Sequence, residues 1–125
     1  MNTNETETLA FMVSVRNKYF PDISKITFEV IHDKSRDGVM GSATFGKSPK
    51  VILHYSDDRI IQPCYRMGLV PVIAHELAHY IDPVDPERIM RERLPTEMMT
   101  LWKELFEAGY AKCSMTTAHP IKKGK

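Results

Sequence analysis

The chain has few cysteines, few glycines and almost no net charge. Its two cysteines, Cys64 and Cys113, are isolated and form no C-x-x-C pair. That excludes a disulfide framework and a zinc ribbon, and it predicts reduced, inert thiols. With 6 glycines and 8 prolines in no period, collagen-like and low-complexity architectures are excluded. The 17 basic and 16 acidic side chains leave a formal charge of +1, too little to steer the protein to nucleic acid or a membrane surface. The one like-charge run, Lys122-Lys123-Gly124-Lys125, reads as a solvated terminus. The longest uncharged apolar run, Met67 to Ala74, is far too short to cross a bilayer. The polar, acidic start Met1-Asn2-Thr3-Asn4-Glu5-Thr6-Glu7 lacks the basic and apolar regions of a secretory signal, so a cytoplasmic location is expected.

What is present suits one folded domain over residues 1–125: 42% hydrophobic and 26% charged residues, enough apolar material for a core. Asn4 with Glu7 resembles a capping box, and Leu9, Met12, Val13 and Phe20 recur near helical spacing until Pro21, which predicts an N-terminal helix. Ile26, Phe28 and Val30 alternate with polar residues as a half-buried strand does. Asp37-Gly38 signals a turn. Val39, Ala43 and Phe45 suit the inner face of a second strand, with Gly41 and Gly46 as weak points. Val51, Leu53 and Tyr55 suit the inner face of a third, with Ile52 and His54 outward. Short turns between them predict a small, mainly antiparallel three-stranded meander. Ser56-Asp57-Asp58 caps a short helix that Pro63 or Gly68 interrupts. Pro71 opens a helix carrying Val72 to Ile81, Asp82-Pro83-Val84-Asp85-Pro86 forms a rigid connector, and Thr96 caps a last helix reaching about Tyr110. The fold class is α+β.

One motif dominates: His75-Glu76-Leu77-Ala78-His79, an H-E-x-x-H. On a helix, side chains four apart stack on one face, so both imidazoles can meet one divalent cation at ~2.0–2.1 Å. Glu76, offset by one position, flanks that point, where it can hold a water and take its proton. Ile73, Leu77, Tyr80 and Ile81 fall on the opposite side, which predicts one face on the core and the other in a cleft. Trp102 and Phe106 read as core. His32 and His54 read as surface or structural histidines on strands.

The ten residues from Val72 to Ile81 resemble the extended zincin consensus at every position, and the upstream strands with a downstream Glu-bearing helix resemble the gluzincins, in particular the minimal gluzincin peptidase scaffolds. That resemblance implies a zinc-dependent metallopeptidase acting on peptides or proteins, with His75 and His79 as zinc ligands and Glu76 as general base. It also implies that the C-terminal helix supplies a third ligand, Glu97, in Glu97-Met98-Met99-Thr100, with Glu104 as its rival on the same helix. It further suggests an extended substrate laid along the edge of Val51 to Tyr55. A metzincin pattern would instead put Asp85 in the third position, although Asp82 stands where that family has glycine. Asp82 is then a candidate partner for a ligating imidazole. His119 is a further candidate ligand, and Tyr110 and His119 are candidate oxyanion stabilisers. Beside the peptidase stand two other functions: a zinc-binding regulatory or interaction module without turnover, and a SprT-like crosslink peptidase acting near DNA. The missing zinc-ribbon cysteines and basic patch argue against DNA binding.

Overall fold

The structure, a computed structural model, describes residues 2–35 and 37–114. Helix α1 (Thr3–Tyr19) starts at Asn2, whose side-chain oxygen accepts the Glu5 N–H while Glu5 accepts the N–H of Asn2. This capping box lies two residues upstream of the Asn4–Glu7 pair expected from sequence. Both pairs have the same spacing, and the earlier start frees the second Glu5 oxygen to accept the Tyr55 hydroxyl proton. α1 buries Thr8, Met12 and Val15. Met12 and, just past the helix, Phe20 are buried as expected, and Leu9 packs half-buried against the core. Val15 replaces Val13 in the stripe, and Pro21 ends the helix as expected.

The strands are β1 (Thr27–His32), β2 (Val39–Thr44), β3 (Lys50–Tyr55) and β4 (Ala111–Ser114). They form one mixed sheet in the order β1-β3-β2-β4. β3 runs parallel to β1 and antiparallel to β2, and β4 runs parallel to β2. The antiparallel three-stranded meander is therefore corrected to a four-stranded mixed sheet, within the same α+β class. β3 buries Val51, Leu53 and Tyr55 as its alternation predicted, but alternation fixes which face of a strand is inward and not which strand lies beside it, and here β3 pairs with β1 on one side and β2 on the other. Both its edges are occupied, so no substrate can pair along Val51 to Tyr55 as expected. Phe45 lies beyond the end of β2 and is exposed, against its predicted inward place.

After β3 come two 3-10 turns, Asp58–Ile61 and Pro63–Gly68; the first is capped by Asp57, which accepts the Arg59 N–H. Three helices follow: α2 (Leu69–Ala78), α3 (Pro86–Arg93) and α4 (Thr96–Glu107). α3 occupies residues read from sequence as connector and beyond. Its signals are Asp85, which accepts the Arg88 N–H as N-cap, and Pro86 at the first helical position. All ten residues of α2 are buried, because α2 packs against the sheet and against α1, α3 and α4 together. A helix apolar nearly all round lies in the core, and its polar groups lie there with it, although a cleft still reaches the histidine face as expected. No helix among the described residues is long and apolar enough to cross a membrane.

Candidate metal centre

The last turn of α2 carries the motif. His79 closes the helix as its C-cap with helical angles (φ −61°, ψ −24°), so it still stands one turn above His75. The two Nε2 atoms face each other at 3.1 Å, with the rings perpendicular. Two nitrogens bound at ~2.0–2.1 Å to one tetrahedral ion are about 3.3–3.4 Å apart, so the pair is set almost as a shared cation requires. Four side chains, those of His75, Glu76, His79 and Cys113, bring ligand atoms within 4.8 Å of one another. This group can hold a metal ion, and its nitrogen, sulfur and carboxylate donors suit zinc among others.

Glu76 is 1% exposed, and its carboxylate sits within the cluster formed with Cys113 and the two histidines. Burial pushes its carboxyl up to about 8, with the neighbouring Cys113 thiol drawing it the other way. The side chain fits because β2 has a glycine beneath it: a Cβ on Gly41 would lie 2.6 Å from Glu76 Cγ and 2.9 Å from its Oε2. Gly41, a weak point of the strand by sequence, lets the β2 backbone lie close against this side chain.

The His75 ring plane is braced from α3 and α4. The Trp102 indole stacks on His75 at 4.5 Å and donates its Nε1–H to Glu87 at 2.8 Å. Trp102 is core as expected. Phe106, expected there too, is instead 48% exposed. With Val84, Asp85, Pro86 and Glu87 it lines a cleft of about 320 Å³ that reaches His75, His79 and Cys113. At the other end, the Tyr80 hydroxyl lies 2.6 Å from the Thr44 carbonyl and 3.0 Å from that of Lys50, tying the end of α2 to the β2–β3 hairpin.

The structure does not bring Glu97 to the converging group: it is exposed in the first turn of α4. Five residues separate it from Trp102, a rotation of about 140° around the helix, so α4 cannot turn both toward His75. Glu104 is likewise exposed on α4. Asp85 lines the cleft, but its carboxylate is engaged as the cap of α3. Among the described residues Asp82 partners no imidazole. It accepts the N–H groups of Val84 and Asp85 and pairs with Arg88, and these bonds hold its carboxyl below the usual range. Tyr110 lines a separate groove with Asp37, Arg59 and Tyr65. His119 lies outside the described residues. His32 stacks on Tyr55 and His54 lies 3.3 Å from the Ser42 hydroxyl, both structural roles.

Cys113, predicted inert, is the residue that sequence reasoning missed. Its Sγ lies 3.5 Å from His79 Nε2. No local pattern marks it, since β4 meets α2 only after α3 and α4 have been crossed. Comparison of the chain with protein-family models, with curated proteins and with solved structures gives no match.

Proposed function

We propose that the protein is a zinc-dependent metallopeptidase of the H-E-x-x-H type that hydrolyses peptide bonds in a peptide or protein substrate, without the helix-borne glutamate ligand of a gluzincin. The observation that carries this reading is the meeting of the His75 and His79 Nε2 atoms at 3.1 Å beside a buried Glu76 carboxyl. His75 and His79 would hold zinc, which when bound supplies a Lewis acid that acidifies water and polarises the scissile carbonyl. Glu76 takes a proton from the attacking water at a carboxylate oxygen and delivers it to the leaving amine nitrogen. Its apolar pocket favours proton uptake, since a buried carboxylate is a stronger base than a solvated one. Trp102, held by Glu87, keeps the His75 ring plane fixed, as partners behind a ligating imidazole do. Val84, Pro86 and Phe106 offer the cleft an apolar wall for a substrate side chain.

The test is Glu76→Gln in the zinc-loaded protein, read by metal content and by cleavage of a peptide library. The variant is expected to keep about one zinc per chain and to lose at least ~100-fold in hydrolysis, the usual contribution of a positioned base. Undiminished cleavage would remove the general-base role. A second reading, a metal-binding module without turnover, is favoured by the near-complete burial of Glu76. Zinc-loaded wild-type protein that cleaves no member of the library decides for that module.

A further inference from the structure

We propose that Cys113 is the third protein ligand of the metal, so that two imidazoles of one helix and a thiolate of the C-terminal strand form the centre. The proposal rests on the metal-binding part of the functional reading and not on hydrolysis. A nitrogen at ~2.0–2.1 Å and a thiolate sulfur at ~2.3 Å from one tetrahedral ion are about 3.5–3.6 Å apart. The sulfur of Cys113 and Nε2 of His79 stand at 3.5 Å. The nitrogen pair at 3.1 Å lies close to the roughly 3.3–3.4 Å that the same ion requires.

The strand explains why this side chain arrives there. Alternation along β4 puts Ala111 and Cys113 on one face and Lys112 on the other. Ala111 is 1% exposed against the core, and Lys112 turns outward to donate to the Asp37 carbonyl. Cys113 therefore points toward α2. In the pairing of β2 with β4 its partner is Gly41, the residue whose missing side chain makes room for Glu76. The buried Glu76 carboxylate brings an oxygen to the same cluster of ligand atoms. A soft thiolate beside two imidazoles is a donor set that zinc accepts readily. α4 supplies no competitor, since Trp102 holds the position against His75 and Glu97 stays exposed. In this arrangement the metal is also a clasp, joining α2 to a short edge strand that is distant in sequence.

Cobalt(II), titrated into the metal-free full chain, tests the assignment. One equivalent is expected to raise a thiolate-to-cobalt charge-transfer band that Cys113→Ser abolishes and Cys64→Ser keeps. Cys113→Ser is expected to weaken zinc binding by about 100-fold or more, at least the loss seen when a partner behind a ligand is removed. Glu97→Ala is expected to leave it within about threefold, as for a surface carboxylate. A variant-free measurement guards against misfolding: zinc should protect Cys113, but not Cys64, of the wild-type chain from iodoacetamide, read by mass spectrometry. Cobalt binding that depends on His75 but shows no sulfur band, or zinc-bound protein alkylated at Cys113 at the metal-free rate, overturns the proposal and leaves the peptidase reading standing. A sulfur band without peptide hydrolysis does the reverse, upholding the ligand and removing the peptidase.

Discussion

At the residue scale, the site divides into what is local and what is not. His75, Glu76 and His79 lie within a turn of helix, so their relation follows from helical geometry, and five consecutive residues are enough to read it. Gly41 and Cys113 reach the same point from other elements, and nothing in their immediate neighbours announces it. Gly41 is the sharper case, because its role is an empty volume. Gly41→Ala would place a methyl 2.6 Å from Glu76 Cγ. Overpacking of this kind is expected to cost about 1–3 kcal/mol, read by denaturant unfolding. It is also expected to lower hydrolysis by about 100-fold through displacement of the carboxyl, while zinc content is retained. Unchanged rates would mean that the Glu76 position does not govern turnover.

Among the elements the same division has different causes. The β3 pattern and the stop of α1 at Pro21 were legible, because alternation and proline act within a few residues. The pairing of β1 with β3, the existence of β4 and the central place of α2 were not, since each depends on which surfaces have apolar partners across the molecule. α3 had readable signals in Asp85 and Pro86, but Pro83 and Pro86 together suggested a connector. One long-range link between elements carries a pH dependence. The Tyr55 hydroxyl donates to Glu5 and holds its carboxyl below the ordinary 4.5, joining the start of α1 to the end of β3. A depressed carboxyl stabilises the folded state above its unfolded pKa and loses that contribution as pH falls through the folded value. Tyr55→Phe is therefore expected to cost about 1 kcal/mol at pH 7. The gap from wild type should close as pH falls below 4.5, as urea midpoints across that range will show. A gap independent of pH would assign the loss to packing instead.

For the whole molecule, a metal shared by α2 and β4 is a crosslink made only in the folded state, and it is linked to stability by mass action. Zinc at 100 times its dissociation constant contributes about 2.7 kcal/mol, which for a domain of this size raises Tm by roughly 10 °C. Chelation is expected to reverse the shift, and scanning calorimetry with and without chelator measures it. His79→Ala should abolish the zinc-dependent part. A chain whose Tm ignores both zinc and chelator holds no such clasp.

Periodicity and helical spacing are properties of neighbouring residues, so the α+β class, the burial pattern of β3 and the pair of imidazoles with a carboxyl between them were written in the order of amino acids. Which donor joins that pair was not. Packing set β4 on the open edge of β2, turned Trp102 rather than Glu97 toward His75, and left at Gly41 the space that Glu76 fills. Those outcomes depend on the competition of whole surfaces for a single buried helix, and no stretch of chain contains that competition on its own.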